Sequence, residues 1–227
     1  MGRCAGVFAL CLGIVFIAGC GGGSSSTTQQ LRIVMASPDA PPVDILIDGT
    51  QVATALVYTN STAYLAVKSG GRRIQVLTLG NSTSLFQQTI SLPSAGANQT
   101  LLLTGPVSKM QSLLLTDGTT TTTTTTGTGQ VRVVNASPTM GPADVYIATA
   151  GSSIAGSTPN AAKLGFNQAT SYSSQEIGNF QVFMTAPDTT NVFLNTGPLA
   201  LTQSQFQTVV AIDATGGGFN FISLTDQ

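Results

Sequence analysis

The sequence predicts an all-β protein made of two tandem antiparallel β-sandwich domains of immunoglobulin-like type, joined by a Thr-rich linker. Three observations lead to this fold class. The second half of the chain repeats the first, each half holds about seven short runs of β-forming residues, and turn residues recur between those runs. The predicted organisation is a signal peptide at 1–19, a Gly/Ser/Thr tether at 20–30, a first sandwich at 31–118, the linker at 119–129 and a second sandwich at 130–227.

The internal repeat is clearest at the start of each half. Leu31–Pro38 recurs as Val131–Pro138, and residues 31–48 and 131–148 share 8 identities in 18 positions without a gap. Matching segments then follow in the same order at offsets between 100 and 109, which is the pattern of a tandem duplication. The further matches are Leu56–Tyr64 with Leu164–Tyr172, Gln75-Val76 with Gln181-Val182, and Leu115–Asp117 with Leu224–Asp226.

Each half is divided into short strands by recognisable turns. Val43–Ile47 leads into Asp48-Gly49, a dipeptide typical of a β-hairpin turn. Most of the runs mix Thr, Gln and Ser with aliphatic residues. This composition predicts sheets with one face in water, because a sheet covered on both faces needs near-continuous apolar runs. The predicted strands are 43–47, 61–67, 72–79, 85–90, 100–104 and 112–116 in the first half, and 131–136, 143–148, 170–175, 180–185, 192–195, 206–212 and 219–224 in the second.

The two halves are separated by eight consecutive threonines at 119–126, followed by Gly127-Thr128-Gly129. Threonine has high strand propensity, but this run offers no alternation and no apolar face to bury. We therefore expect an exposed, extended spacer, with O-glycosylation of the threonines as the alternative role.

The N-terminus has the features of an exported lipoprotein. Arg3 precedes a mostly apolar run, Cys4–Gly19, whose 16 residues fall short of the roughly 20 that span a bilayer. The run ends in Ile17-Ala18-Gly19-Cys20, which resembles a bacterial lipoprotein signal. The resemblance implies cleavage before Cys20 and attachment of lipid to its thiol and amine. A plain secretory signal or a short membrane anchor is the alternative.

Lipidation of Cys20 implies an exported protein that is anchored to a membrane through its N-terminal lipid. Cys4 and Cys11 leave with the signal, so no intramolecular disulfide can form and stability must come from an apolar core. Several acyl chains hold a protein firmly, because each buried methylene contributes about 0.8 kcal/mol. In lipoproteins of this type an Asp after the lipidated Cys favours the inner membrane. Gly21 stands there instead, which favours the outer membrane or cell surface.

The composition excludes several function classes. Charged residues make up 7% of the chain, and the net charge of −1 leaves no basic footprint for nucleic acid. Because the chain has no histidine, catalysis by a histidine base and metal binding by histidine are excluded. Neither a Ser-x-x-Lys pattern in the mature chain nor a Gly-x-Ser-x-Gly elbow is present. We expect no enzyme activity, no catalytic residue and no cofactor.

The densest acidic cluster is Asp39, Asp44 and Asp48, which offers oxygen ligands of the kind that calcium prefers. Only Asp44 has a counterpart in the second half, Asp144, and roles in turns explain Asp39 and Asp48. No metal site is therefore predicted.

Some charged and aromatic residues recur in both halves. Arg32 is expected to pair with Asp44 on an adjacent strand, and Arg132 with Asp144, in exposed contacts worth about 0–1 kcal/mol each. Tyr64 and Tyr172 occupy matched positions, and matched aromatics are typical of a core. The alternative is that the four tyrosines form contact points for a partner; these are Tyr58, Tyr64, Tyr146 and Tyr172.

Two segments carry a resemblance to a known family. Arg32–Gly49, with its Ala-Ser-Pro segment, resembles the opening of the bacterial DUF4397 family, and Gly70–Val76 resembles that family's glycine turn before a central strand. The second half departs from the pattern, since Asp39-Ala40-Pro41 becomes Thr139-Met140-Gly141. The resemblance covers nearly all of residues 31–227. It implies an envelope β-domain of unknown function, often present in tandem, and supplies no catalytic residues.

Two non-catalytic roles follow from these observations. The favoured role is a surface binding or adhesion module that contacts a surface ligand through strand-connecting loops, with the duplication adding avidity. The alternative is a structural or assembly component that contacts another envelope protein. Cys20 is the only site residue that the sequence predicts.

Overall fold

The computed structural model describes residues 1–2, 27–94, 96, 98–119 and 125–226. Regular structure in these residues is β apart from one 3₁₀ turn at Val107–Lys109, which confirms the predicted all-β class. Among the described residues no helix is long and apolar enough to cross a membrane.

The strands of the first half are β1 (Thr28–Ala36), β2 (Val43–Ile47), β3 (Thr50–Leu56), β4 (Leu65–Lys68), β5 (Gly70–Thr78), β6 (Ser84–Leu92), β7 (Gln99–Thr104) and β8 (Gln111–Thr116). Those of the second half are β9 (Thr128–Asn135), β10 (Ala143–Thr149), β11 (Ala161–Leu164), β12 (Gln168–Ala169), β13 (Ser173–Glu176), β14 (Gly178–Thr185), β15 (Val192–Asn195), β16 (Leu199–Leu201), β17 (Phe206–Asp213) and β18 (Phe219–Asp226).

Each half folds into two stacked sheets, an inner sheet that faces the other domain and an outer sheet. In the first domain the inner sheet has the order β4-β1-β7-β8 and the outer sheet β3-β2-β5-β6. In the second domain the inner sheet has the order β12-β9-β17-β18 with β13 also on β9, and the outer sheet β11-β10-β14-β15 with β16 also on β14. The two predicted sandwiches are therefore confirmed. Their strands are paired antiparallel, and each inner sheet adds one parallel pair, β1 with β7 and β9 with β17.

Side chains alternate along the inner strands between two cores. On β1, Leu31, Ile33 and Met35 pack into the core of their own sandwich, while Val34 and Ala36 project from the opposite face. The opposite faces of the two inner sheets meet and form a third core that both domains share. Its buried members are Val34, Ala36, Leu102, Leu115, Val134, Ala136, Val210, Ile212 and Leu224.

The shared core corrects the expectation that each sheet has one face in water. Both inner sheets are covered on both faces, by the outer sheet of the same domain and by the inner sheet of the other. Every residue of β7 is buried, and so is β17 from Phe206 to Ile212. Composition alone did not indicate this burial, because the polar side chains of these strands are satisfied by buried hydrogen bonds, as Thr100 is by Arg32 and Asp117.

Each domain begins earlier in the chain than the predicted starts at residues 31 and 130. Strand β1 starts at Thr28, inside the predicted tether, and β9 starts at Thr128, inside the predicted linker. Thr28 pairs with Lys68 and Thr128 pairs with Glu176, so the two starts correspond. These residues belong to the inner sheets because the antiparallel strands β4 and β13 extend far enough to pair with them.

The strand registers also fix how the two copies correspond. In the first domain Ile47 faces Ile74, and in the second Ile147 faces Val182, which sets the offset between β5 and β14 at 108. The match of residues 75–76 with 181–182, at an offset of 106, is therefore wrong by two residues. Such a slip keeps every side chain on the correct face and is invisible to a pattern of alternation.

Candidate functional site

Cys20, the predicted lipidation site, lies outside the described residues, together with the signal peptide and most of the tether. Its lipidation stays a prediction. Residues 120–124 of the Thr-rich linker also lie outside the described residues, whereas the acidic cluster, the two arginines and the four tyrosines are described.

Two members of the acidic cluster organise separate loops. Asp39 Oδ1 accepts a hydrogen bond from the backbone N–H of Val107 at 2.8 Å. Asp44 accepts one from the Thr54 hydroxyl at 2.8 Å and two more from the backbone N–H groups of Ala55 and Gly80, both at 3.2 Å. The bond from Thr54 is the main reason why the pKa of Asp44 lies below its usual value. Each carboxylate is already engaged by protein donors.

Asp48 serves the hairpin turn that the sequence predicts. Asp48 and Gly49 have φ angles of 51° and 84°, the two left-handed positions that a tight hairpin turn requires. The Asp48 carboxylate accepts a hydrogen bond from the backbone N–H of Arg73 and an ion-paired one from Arg72, both at 2.8 Å. The backbone bond is the leading cause of the lowered pKa of Asp48.

Calcium is expected to leave the protein unchanged. Within the described part of the chain no group of three His, Cys, Asp or Glu side chains is placed to hold a metal ion, and backbone donors already occupy Asp39, Asp44 and Asp48. We expect no heat on titration with calcium chloride and no rise in melting temperature. A rise that disappears in D44N would show that the cluster does bind the ion.

The predicted pairing of Arg32 with Asp44, and the matching pairing in the second domain, are wrong. Each arginine crosses to the other domain. Arg32 Nη2 donates to Asp226 Oδ1 at 2.5 Å, and Arg132 Nη2 donates to Asp117 Oδ1 at 2.9 Å. The interdomain charge network consists of these two arginines and two aspartates with the threonines and tyrosines that bind them.

Each arginine donates hydrogen bonds to a threonine hydroxyl and to a backbone carbonyl. Arg32 donates from Nε and Nη2 to the Thr100 hydroxyl, at 3.1 and 2.8 Å, and from Nη1 to the Thr225 carbonyl at 2.8 Å. The Thr100 hydroxyl in turn donates to Asp117 at 2.6 Å. The second half repeats the arrangement with Arg132, Thr208, Asp226 and the Thr116 carbonyl. The network therefore has an approximate twofold symmetry.

Tyr64 and Tyr172 belong to this network, which corrects their assignment to a core. The guanidinium of Arg32 lies 4.8 Å from the centre of the Tyr64 ring, and that of Arg132 lies 4.5 Å from the centre of the Tyr172 ring. The Tyr64 hydroxyl donates to Asp117 at 2.7 Å and the Tyr172 hydroxyl donates to Asp226 at 2.5 Å. Both tyrosines are half-buried, so each ring covers the network from one side.

The network is nearly dry. The side chains of Arg32 and Arg132 are 7% and 5% exposed, and those of Asp117 and Asp226 are fully buried. Burial, reinforced by the charge of Asp226, raises the pKa of Asp117. The two guanidinium groups and the two carboxylates balance in formal charge, which offsets part of the cost of burying them. The arginine of each domain binds the aspartate of the other, so this arrangement joins the domains.

A signal for this network was present in the sequence. Its side chains recur in both halves at matched positions. The alternation of inward and outward side chains along a strand does not by itself require a buried arginine or aspartate to recur. The matched pairs are Arg32 with Arg132, Tyr64 with Tyr172, Thr100 with Thr208, and Asp117 with Asp226. The partners were missed because each arginine binds the aspartate of the other copy.

Stability is expected to fall as the pH rises above about 10. Burial is the main cause that raises the pKa of Tyr64, of Tyr172 and of Tyr58, the last to about 12. In the pH range between the unfolded and the folded pKa, the unfolded chain has lost phenolic protons that the folded protein retains. Each such tyrosine therefore lowers the free energy of unfolding by at most about 1.4 kcal/mol per pH unit. Because the rings are only half-buried, we expect a smaller slope.

The measurement is urea unfolding between pH 9 and 12, followed by circular dichroism. In Y64F/Y172F the fall above pH 10 should be shallower than in the parent protein. If stability falls equally steeply with pH in both proteins, Tyr64 and Tyr172 are not the cause of the pH dependence.

A second feature, the edge cleft, lies in the first domain where the two sheets of the sandwich separate. It runs between the edge strands β3 and β4 and has a volume of about 380 Å³. Its apolar lining comes from residues of β2, β3 and β4, namely Ile47, Val52, Leu65 and Val67. Its polar lining comprises Asp48, Thr50, Lys68 and Arg72. No local sequence pattern indicates this cleft, because its walls come from four separate strands.

The second domain has a different hollow at the corresponding end. It measures about 230 Å³ and is lined by residues that include Glu176 and Phe180. By strand register these occupy the positions of Lys68 and Arg72. Two positive side chains are thus replaced by one negative and one aromatic side chain. The duplication has kept the interdomain charge network and changed the cleft.

Two sandwiches of one repeated topology, fused through a shared core and a buried charge network, define a tandem all-β domain protein. The chain belongs to the DUF4397 family: the family model, described as a domain of unknown function, matches residues 29–146 and 129–227. A search of curated proteins finds no significant match.

Solved structures with a similar arrangement are distant in sequence. An α-glucan-binding streptococcal virulence factor superposes with a TM-score of 0.28 at 11% identity, covering 78% of this chain and 92% of its own. A family 26 carbohydrate-binding module of Eubacterium rectale Amy13K, solved with maltoheptaose, gives 0.30 at 10% identity, with 88% and 98% coverage. A candidate adhesin from Bacteroides ovatus gives 0.25 at 10% identity, with 88% and 95% coverage.

Proposed function

We propose that the chain is a lipid-anchored cell-envelope protein that acts as a non-catalytic surface binding or adhesion module. The edge cleft is the observation that supports this role. It is concave, has apolar walls and carries a small number of charged groups at its rim, as ligand sites commonly do.

The interdomain charge network supports a binding role in a second way. Its arginines and aspartates are engaged with each other, and the shared core lies beside them. The two domains are therefore held as one rigid body. A rigid scaffold keeps a cleft at its rim preformed, which lowers the entropy lost when a ligand binds.

The anchor in this proposal is the lipid on Cys20, with the protein exported to the outer membrane or cell surface. The support is the sequence Ile17-Ala18-Gly19-Cys20 and the Gly/Ser/Thr tether that follows it. In the alternative role the same anchor holds an assembly component that faces another envelope protein.

Mass spectrometry of the mature protein, combined with surface labelling of intact cells, tests the proposal. Lys68, Lys109 and Lys163 are exposed and suit a membrane-impermeant amine reagent. We expect an N-terminal Cys20 peptide with a diacylglyceryl group on its thiol and an acyl chain on its amine, and labelling of these lysines on intact cells, with the anchor lost in C20S. A lipidated protein that is labelled only after lysis would favour the assembly role. An unlipidated, secreted product would contradict the proposal.

A further inference from the structure

We infer that the edge cleft and the free edge of β3 form a docking site for an extended peptide segment that carries an apolar side chain and a carboxylate. The inference rests on the proposed binding role and names the class of ligand. Its elements are an unpaired strand edge, an apolar hollow and an unbalanced positive charge.

The unpaired edge belongs to β3. This strand pairs with β2 on one side and ends the outer sheet, so its other side carries no strand in the part of the chain that the structure describes. Natural sheets usually protect such edges with lysine or proline, because free backbone groups can pair with another chain. Residues 50–56 contain no proline, no lysine and no other charged residue. An incoming strand therefore meets no charge and no proline here, and it must follow the bend that two register shifts in the β2–β3 pairing, one of them at Val52, give this edge.

Two hollows flank this edge and Val52 lines both. One is the edge cleft, and the other, of about 370 Å³, is lined by residues 51–54. Side chains of an extended peptide alternate in direction, so a peptide paired along β3 places every second side chain toward the sandwich. The apolar walls of the edge cleft, which include Ile47 and Leu65, match an aliphatic or aromatic side chain there.

The charge at the rim selects an acidic group. Arg72 is neutralised by Asp48 at 2.8 Å, whereas Lys68 is exposed and makes no ion pair among the described residues. The cleft therefore carries one positive charge in excess. A carboxylate on the peptide, from an acidic side chain or from the C-terminus, complements it.

The second domain supplies an internal contrast. Its edge strand β11 has only four residues, and the position matching Gln51 is Pro159, which cannot donate a backbone hydrogen bond. Lys163 on that strand is paired with Asp188 at 3.1 Å. The second edge is thus shortened and carries a proline and a lysine, whereas residues 50–56 of the first edge carry neither.

The test is selection from a random dodecapeptide library displayed with free C-termini, against the full-length chain immobilised through a C-terminal tag. Enriched peptides are then synthesised with free and with amidated C-termini. We expect binding that slows amide hydrogen exchange in β3. Amidation weakens binding if the carboxylate is terminal and leaves it unchanged if it is an acidic side chain.

Three variants separate this site from other surfaces. V52K puts a charge at the edge and fills the hollow, so binding should be lost. K68E gives the first domain the charge that Glu176 gives the second and should weaken binding about tenfold or more. E176K is the matched control and should bind as the parent does. Unfolding curves confirm that each variant is folded.

Several outcomes overturn the inference: no enriched peptide, peptides that bind V52K and K68E as tightly as the parent, or self-association of the chain through β3. If such a result accompanies surface labelling of a lipidated protein, only the peptide site fails and the proposed function stands. If lipidation and exposure fail, the proposed function fails whether or not peptides bind.

Discussion

Replacing Arg132 with methionine is expected to lower the free energy of unfolding by about 3–5 kcal/mol. Arg132 is the close partner of Asp117, at 2.9 Å, and both side chains are almost completely buried. Without the guanidinium, the Asp117 carboxylate retains hydrogen bonds from Thr100 and Tyr64 but loses its nearest positive charge. An uncompensated buried charge is far costlier than a missing surface contact, which is worth about 0–1 kcal/mol.

Urea unfolding at neutral pH, followed by circular dichroism, measures this effect. R73M is the matched control, because Arg73 is exposed and its substitution should change stability by less than about 0.5 kcal/mol. The double variant R132M/D117N removes both charges and should recover part of the loss, which shows that the two side chains are coupled. A loss below about 1 kcal/mol in R132M would mean that water reaches the network.

Replacing Gly118 with alanine is expected to cost about 1–3 kcal/mol through overpacking. A Cβ atom at this position would lie 1.8 Å from Cδ1 and 2.4 Å from Cγ of Phe206, so the whole ring must move. Phe206 is buried and packs edge-on against Tyr172, with ring centres 5.1 Å apart. The Tyr172 hydroxyl also accepts a hydrogen bond from the Gly118 N–H at 3.1 Å. One methyl group therefore disturbs the aromatic pair beside the interdomain charge network.

The control for this variant is G71A. A Cβ at Gly71 meets Thr89 at 3.6 Å, an ordinary contact, and its backbone is not left-handed, so the change should be neutral or slightly stabilising. Adding F206L to G118A should return part of the stability, since the smaller side chain leaves room for the methyl group. Equal melting temperatures for G118A and G71A would contradict the packing at this junction.

Much of the fold is predictable because its signals are local. The strands at 43–47 and 192–195 have the predicted bounds, and the hairpin at Asp48-Gly49 follows from the dipeptide alone. Strand β3 was missed, since residues 50–56 mix Thr, Gln and Ala and become a strand through pairing with β2. The stretch 61–67 was predicted too early, and the strand there is Leu65–Lys68.

The candidate sites were harder to predict because their contacts are distant in sequence. Arg32 and Asp226 are 194 residues apart, so reasoning within one copy paired Arg32 with Asp44 instead. Burial of the inner sheets on both faces likewise depends on the second domain. The edge cleft arises from the separation of β3 and β4, which is a property of the assembled sandwich.

The position of β1 has a mechanical consequence. This strand is the first one in the described chain, yet it lies in the middle of its sheet, hydrogen-bonded to β4 on one side and to β7 on the other. A pull along the chain upstream of Thr28 loads both ladders in shear, so many hydrogen bonds must break together. A strand at a sheet edge that is peeled away gives up its bonds one at a time. Force applied at this end of the chain is therefore shared by two strand pairs from the start.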